Sequence, residues 1–285
     1  MRYVDEALLF TCAGEPLVGV LSQPDSPGDT GVLVIVGGPQ YRVGSHRQFV
    51  TLARSLAEQG IATLRFDYRG MGDSAGAMIG FEQVGEDIRA AIDALCSRCP
   101  CVTNIVLWGL CDGASAGLLY LNGGADSRVR GLCLLNPWVR NDASLARAHV
   151  KHYYGRRLLQ REFWLKLLRG HVDVAGSCRE LLNKIRLSVA RNEPTLQHLP
   201  FQARMANALR EHRGQILLIL SGKDYTAKEF VEHAAADAAW TGLIDAANVR
   251  RHDVPDADHT FSTAKFRGDV EQATLRWIVE TVAKA

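Results

Sequence analysis

The stretch Leu107–Ser115, "LWGLCDGAS", joins an apolar segment to a run of small residues, and it decides the fold. The segment Asn104–Trp108 is typical of a short buried strand, and the residues from Ala114 onward are typical of an apolar helix. Between them lies a G-x-C-x-G pattern with Cys111 at its centre. The central residue of a sharp strand-to-helix turn takes a positive φ, and glycine on both sides avoids clashes of a β-carbon. The pattern therefore predicts that Cys111 stands at the N-terminus of a helix.

Two roles fit a cysteine in this place. Free backbone N–H groups at a helix N-terminus stabilise negative charge, so a thiol there loses its proton more easily. The alternative is a buried structural cysteine, which is a common fate of this residue. The pentapeptide alone leaves both roles open.

The composition is that of an ordinary globular protein. The chain has 285 residues, of which 47% are hydrophobic and 22% charged, with a net charge of +2. This length allows one large domain or a domain with an insertion. The near-neutral charge argues against a dedicated nucleic-acid-binding protein. No apolar run reaches the roughly 18–20 residues that span a bilayer.

Cysteine usage and the N-terminus predict a cytoplasmic location. The opening residues, "MRYVDEALLF", lack the apolar region of a signal peptide. Seven cysteines, an odd number, make a disulfide framework unfavourable. Cys96, Cys99 and Cys101 lie close together, but neither a histidine nor a second cysteine pair nearby completes a zinc site. We therefore expect a helix-to-strand loop with incidental thiols, no metal and no cofactor.

Apolar runs that indicate strands alternate with amphipathic segments that indicate helices. The predicted strands are Leu8–Cys12, Leu17–Ser22, Gly31–Val36, Ile61–Asp67, Asn104–Trp108, Val129–Pro137, Gln215–Asp224 and Val249–His259. The predicted helices are His46–Gln59, Phe81–Cys96, the one after Cys111, Ala227–Ala239 and Lys265–Val282. Such alternation is typical of a doubly wound α/β fold. We predict an eight-stranded, mostly parallel sheet with an antiparallel opening pair.

Residues 140–213 interrupt the alternation with helical periodicity alone. We predict that they form a helical cap, or lid, over the carboxyl ends of the strands, and that residues 1–139 and 214–285 form the core. Residues 140–191 contain twelve Lys and Arg against four Asp and Glu. This excess either attracts an anionic partner or forms a solvated helix face.

Three residues in chain order complete a catalytic pattern. Asp224 follows one predicted strand, and His259 follows the next. The order Cys111, Asp224, His259 is the nucleophile–acid–histidine order of a catalytic triad at the carboxyl ends of strands. The remaining histidines fit this pattern less well. The rival acids Asp253, Asp256 and Asp258 lie too close to His259 in sequence to approach its ring easily.

The same pattern requires donors for an oxyanion. "VGGPQ", residues 36–40, follows the third predicted strand, where a backbone donor is expected. Pro39 has no N–H, so the donor is Gly38 or Gln40. The second donor is the N–H of Asp112, directly after the nucleophile.

These residues carry a family resemblance. "VGGPQ", "DYRGMGDSAG" and "GLCDG" resemble three motifs of the α/β-hydrolases, with Val36 in place of the usual histidine. Cys111 replaces the usual serine, as in the dienelactone hydrolases. "GGPQYRVGSHRQF", "LRFDYRGMGDS" and "WGLCDGASA" are similar to hydrolases encoded with bacterial exosortase A and exopolysaccharide systems. The resemblance implies a cytoplasmic hydrolase linked to envelope or polysaccharide assembly.

The predicted chemistry is cleavage of an ester or thioester through an acyl-enzyme on Cys111. The substrate would be a small or carrier-bound acyl compound. Two alternatives are acyl transfer by the same intermediate and a non-catalytic binding protein on a hydrolase fold. The Asp112 carboxylate opposes thiolate formation next to it, which favours a neutral resting Cys111–His259 pair.

Overall fold

The computed structural model describes residues 2–38, 40–124, 126–140 and 199–282. The strands are β1 (Tyr3–Cys12), β2 (Glu15–Pro24), β3 (Thr30–Ile35), β4 (Ala62–Phe66), β5 (Asn104–Leu110), β6 (Val129–Leu135), β7 (Gln215–Ser221) and β8 (Val249–Val254). The α-helices are α1 (Gln48–Glu58), α2 (Gly85–Arg98), α3 (Asp112–Leu121), α4 (Phe201–Glu211), α5 (Tyr225–Ala236) and α6 (Ala264–Trp277).

All the strands join one eight-stranded sheet in the order β1-β2-β4-β3-β5-β6-β7-β8. The pairs β1–β2 and β2–β4 are antiparallel, and every other pair is parallel. The strands β1 and β8 form the two edges. The predicted α/β-hydrolase architecture, a mostly parallel sheet with an antiparallel opening pair, is confirmed.

The central strands are apolar because helices cover both faces of the sheet. Every residue of β3 and β4 is buried. On one face Phe49 of α1 packs edge-on against Trp108 of β5 with 5.7 Å between ring centroids. The Trp108 indole N–H donates to the Thr274 hydroxyl of α6 at 3.3 Å, so β5 is fixed from two helices.

Several strands and one helix begin or end at other residues than predicted. The edge pair β1–β2 extends well beyond the predicted segments, because both faces of β1 carry apolar residues and no simple alternation marks its ends. The strand β7 ends at Ser221 and β8 at Val254, so Asp224 and His259 lie in the segments after them. A short 3-10 turn, Ser45–Arg47, replaces the start of the first predicted helix.

The chain divides into two units, residues 1–139 with 199–285, and residues 140–198. The cap predicted for residues 140–213 lies largely outside the described residues. The helix α4, which we assigned to it, belongs to the core unit. Its apolar residues Phe201, Met205 and Leu209 are buried, and the Phe201 ring packs edge-on against Phe81 at 5.3 Å. Residues 199–213 therefore belong to the core unit, and the cap predicted for the residues before them stays a prediction.

The described part of the chain holds neither a membrane-crossing helix nor a metal-binding cluster. None of its helices combines the length and the apolar character that a membrane crossing needs. Within the same residues, His, Cys, Asp and Glu side chains form no group of three or more that could hold a metal ion. Of the three clustered cysteines, Cys96 is in α2, Cys99 is buried after it, and Cys101 is exposed.

Candidate active site

The turn around Cys111 has the geometry that its glycines predict. Cys111 has φ 61° and ψ −127° and stands between β5 and α3. A β-carbon on Gly109 would lie 2.5 Å from the carbonyl of Gly113, and one on Gly113 would lie 2.4 Å from the carbonyl oxygen of Ile35. Contacts this short exclude a side chain at either position, because β-carbons do not approach backbone atoms so closely. The turn therefore requires both glycines.

The end of β6 fixes the turn from the other side. The Cys111 N–H donates to the carbonyl oxygen of Leu135 at 2.8 Å, and the Trp138 N–H donates to the Cys111 carbonyl oxygen at 3.2 Å. The Ser115 hydroxyl donates to the Trp138 carbonyl oxygen at 2.7 Å. Because both backbone groups of Cys111 are engaged, the direction of its side chain is set by the sheet.

The structure brings Cys111, Asp224 and His259 together. Asp224 caps α5, where its carboxylate accepts the N–H groups of Thr226 and Ala227 at 3.1 and 3.2 Å. The same carboxylate lies 2.8 Å from His259 Nδ1. The Cys111 side chain interacts with the imidazole as well, and this interaction helps to raise the pKa of His259. The ring is thus held between a buried carboxylate and the thiol.

This arrangement favours the charged form of the imidazole. Hydrogen bonds with Asp224 and then Cys111 raise the pKa of His259 to about 10, although burial acts in the opposite direction. Burial alone would raise the pKa of Asp224, but its bonds with His259 and the two backbone N–H groups leave that pKa lowered. An imidazolium is a counter-ion for a thiolate. The contacts therefore favour a protonated His259 over the neutral imidazole that the sequence suggested.

The rival acids point elsewhere. Asp253 pairs with Arg251 at 3.0 Å, Asp256 pairs with Lys223 at 2.9 Å, and the Asp258 carboxylate accepts the Ser262 N–H and hydroxyl. Of the other histidines, His233 lies on α5 and His252 on β8, where His252 contacts Asp269 at 3.3 Å, while His46 is exposed. His212 is buried, which lowers its pKa to about 4. His149, His152, His171 and His198 lie outside the described residues.

The predicted oxyanion donors converge on a side chain. The Gly38 N–H donates to Asp112 Oδ1 at 2.5 Å. The backbone N–H groups of Asp112 and Gly113 also act to lower the pKa of this carboxyl, against the effect of its burial. Of the two candidates after β3, the Gly38 N–H points at the Asp112 side chain, and the Gln40 side-chain oxygen accepts the Ser45 N–H at 3.2 Å. Which of their backbone N–H groups binds the oxyanion stays a prediction.

One contributor to the site was missed by the sequence analysis. Asn136, directly after β6, is fully buried and has φ 43°. Its amide donates to the Ser221 hydroxyl at 2.7 Å and to the His259 carbonyl oxygen at 3.2 Å, and its oxygen accepts the Ser221 N–H at 2.9 Å. Asn136 therefore joins β6, β7 and the histidine loop. A polar asparagine directly after an apolar strand was the feature of the sequence that could have indicated this role.

The "DYRGMGDSAG" motif supports the loop that carries Gly38. The Tyr68 hydroxyl donates to the Val36 carbonyl oxygen. Asp67 is buried, pairs with the Arg42 guanidinium, and accepts the backbone N–H groups of Arg42 and Asp73 at 2.6 and 3.1 Å. The motif thus positions loops, and none of these contacts involves Cys111.

The family model Hydrolase_4, described as "Serine aminopeptidase, S33", matches residues 30–199. The chain belongs to this hydrolase family. The Hydrolase_4 description names serine, whereas the turn of this chain carries Cys111.

Solved structures with the same fold include several hydrolases. An esterase of Pyrococcus furiosus, Pf2001, aligns with a TM-score of 0.65 and 17% identity over 98% of this chain and 91% of its own. Est1E of Butyrivibrio proteoclasticus, solved with ferulic acid bound, aligns with a TM-score of 0.62 and 15% identity over 97% of this chain and 99% of its own. DcsB, solved with a substrate analogue, aligns with a TM-score of 0.64 and 17% identity over 98% of this chain and 100% of its own. At these identities the likeness shows the fold. The search of curated proteins found no significant match.

Proposed function

We propose that this hydrolase cleaves an ester or thioester through an acyl-enzyme on Cys111. The observation that carries the proposal is the contact of His259 with both Cys111 and Asp224, at the carboxyl ends of β5, β7 and β8. A nucleophile, a base and a group that orients the base are the parts that covalent acyl transfer requires.

The chemistry follows from these positions. The Cys111 sulfur attacks the acyl carbonyl carbon, and the carbonyl oxygen becomes an oxyanion bound by the N–H groups of Gly38 and Asp112. When the tetrahedral intermediate collapses, the bond to the leaving group breaks and the leaving group takes the proton of the His259 imidazolium. Water then loses a proton to His259 and attacks the thioester, which releases the carboxylic acid and returns the proton to the Cys111–His259 pair. Asp224 holds the ring throughout.

The substrate class rests on similarity and charge. The names of structural neighbours include esterases, and one of them was solved with ferulic acid. The resemblance to exosortase-associated hydrolases implies a cytoplasmic role linked to exopolysaccharide or envelope assembly. The basic residues between 140 and 191 favour an anionic acyl compound, such as a carrier-bound or phosphorylated one.

Acyl transfer is the second candidate, and the cysteine itself favours it. A thioester is captured by amines and thiols more readily than an oxygen ester is. Transfer would use the same groups up to the acyl-enzyme, and only the acceptor would differ.

The test is turnover and trapping of the acyl-enzyme. A series of p-nitrophenyl esters and acyl thioesters of increasing chain length is offered to the wild type, Cys111→Ala, Cys111→Ser and Cys101→Ala. We expect Cys111→Ala to lose activity by on the order of 10³-fold or more and Cys111→Ser to keep a weak remainder, since serine needs stronger base assistance. Cys101→Ala removes an exposed thiol and should match the wild type.

Mass spectrometry of quenched mixtures should locate the acyl group on Cys111. Added amines or thiols that accelerate loss of this group and appear in the product would indicate transfer. Near wild-type turnover by Cys111→Ala on the best substrate would refute the nucleophile assignment.

A further inference from the structure

The Asp112 carboxylate lies where the substrate oxyanion is expected. The Gly38 N–H donates to it, and the backbone N–H groups of Asp112 and Gly113 favour its charged form. Asp112 forms no ion pair among the residues that the structure describes, and the charge of His259 acts on it to lower its pKa. The side chain is thus held by the donors that the proposed mechanism assigns to the reaction.

The Asp112 carboxylate lies close against the backbone of Gly37. A β-carbon on Gly37 would come within 2.5 Å of Asp112 Oδ1 and within 2.8 Å of the Gly113 nitrogen. The backbone of Gly37 is therefore a close wall of the pocket. A substrate oxygen and the Asp112 carboxylate cannot accept the Gly38 N–H in this space at the same time.

We propose that Asp112 is an internal ligand of the oxyanion pocket, which an incoming carbonyl or carboxylate oxygen must displace. The inference rests on the proposed function for the identity of the pocket. In the free protein the side chain fills the pocket, and the site accepts an external oxygen only when Asp112 turns away. Asp112 is therefore a gating residue, and the reacting groups are Cys111 and His259.

The geometry allows this exchange at low structural cost. Rotation about the Cα–Cβ bond of Asp112 removes the carboxylate but leaves all three N–H donors in place, because they belong to the backbone. Burial raises the pKa of Asp112 even though its hydrogen bonds with backbone N–H groups oppose the shift. The carboxylate is therefore incompletely compensated in the pocket, and its return to water offsets part of the lost hydrogen bonding.

The first test asks whether the pocket binds an external carboxylate. Thermal unfolding is followed with increasing sodium formate, against sodium chloride at equal ionic strength, for the wild type, Asp112→Ala, Asp112→Asn and Asp253→Asn. Asp253→Asn removes a negative charge from an exposed position on β8. We expect formate to raise the unfolding temperature of Asp112→Ala most, because its pocket is vacant, and to leave the wild type and Asp253→Asn unchanged. In Asp112→Asn the new amide oxygen is a weaker acceptor than a carboxylate and is displaced in part, so this variant should give a smaller rise.

The second test is turnover of p-nitrophenyl acetate. Asp112→Ala should raise kcat/KM on the order of tenfold or more, since hydrogen bonds to a charged group no longer compete with the substrate. Formate should inhibit this variant competitively and leave the wild type and Asp253→Asn unchanged. Asp112→Asn should raise kcat/KM by less, and it serves as the second variant if Asp112→Ala fails to fold.

The outcomes separate this inference from the proposed function. If formate stabilises neither Asp112 variant, or if it does so without a gain in turnover although the wild type is active, the inference is overturned. If every variant, the wild type included, fails to turn over any acyl substrate, the proposed function falls. The formate titration of a Cys111→Ala, Asp112→Ala double variant still shows in that case whether the pocket binds a carboxylate.

Discussion

At the scale of single residues, the geometry of the site depends on the partners of the His259 ring, and Asp224 is the partner of Nδ1. Nδ1 is 2.8 Å from a carboxylate that also caps a helix, so Asp224 is anchored before it meets the ring. A helix N-terminus stabilises that carboxylate in its charged form. The charged Asp224 in turn stabilises the imidazolium. The same Asp224 side chain therefore pairs with His259 and caps α5.

The raised pKa of His259 predicts a pH dependence of stability. The folded-state pKa of about 10 lies above the ordinary value of 6.5. The protonated ring therefore stabilises the native state fully below about pH 6.5, and this contribution is lost as the pH rises towards 10. We expect the difference in free energy of unfolding between the wild type and His259→Gln to be constant below pH 6.5 and to shrink above it.

Urea unfolding of both proteins from pH 5.5 to 9.5 measures this difference. A difference that grows with pH, or that does not change across the range, would contradict the charged pair. Asp224→Asn should remove most of the pH dependence, because the amide cannot stabilise the imidazolium as a charge.

At the scale of elements, the carboxyl ends of β6, β7 and β8 are tied together by Asn136. It contacts the Ser221 N–H and hydroxyl and the backbone of His259, and it stands at a positive φ that asparagine tolerates better than most residues. The position of the histidine loop is therefore set by a side chain that takes no part in the proposed chemistry.

Replacing Asn136 should affect stability and turnover together. Asn136→Ala leaves the buried Ser221 N–H without its acceptor, which costs about 1–3 kcal/mol of unfolding free energy. It also frees the His259 carbonyl oxygen, so we expect kcat to fall more than KM rises.

Asn248→Ala is the matched control, since Asn248 donates to the Gly214 carbonyl oxygen at 2.9 Å, at the amino end of β7. This variant should lose stability and keep its kcat. Equal kcat values for the two variants would show that Asn136 has no special part in positioning His259.

The helices and strands could be predicted where the spacing of apolar residues in the sequence matched the residues that are buried in the structure. Continuous apolar runs indicated β3, β5 and β7, and the glycines at 109 and 113 indicated the turn of Cys111. The placement of α4 was not predictable from periodicity, since an amphipathic helix carries the same pattern in a cap and against a core. The contact of the Asp112 carboxylate with the Gly38 N–H could not be predicted. The carboxylate can be hydrated by water or bound by backbone N–H groups, and no sequence pattern indicates which of the two is preferred.

At the scale of the whole molecule, charge is unevenly distributed along the sequence. Residues 140–191 carry an excess of Lys and Arg, whereas the whole chain is at only +2, so the other residues are acidic on balance. A charge separation of this size can direct an anionic substrate during diffusion.

Salt should reveal such steering. If the substrate is anionic, kcat/KM falls steeply as ionic strength passes the range where the Debye length is about 10 Å, near 0.1 M, and kcat changes little. Arg156→Glu with Arg157→Glu should remove most of the salt effect. A flat salt profile on the best substrate, measured against a neutral analogue, would exclude steering.

The two edges of the sheet differ in how they resist self-association. In β8, four of the six residues are ionisable, "RRHD", and a charged edge discourages pairing with another chain. In β1, the segment from Ala7 to Cys12 has no charge, and Leu9 is 78% exposed. An uncharged six-residue strand rich in β-formers is a template for cross-β growth. Aggregation of partly unfolded chains should therefore start at β1, on the far side of the sheet from β8.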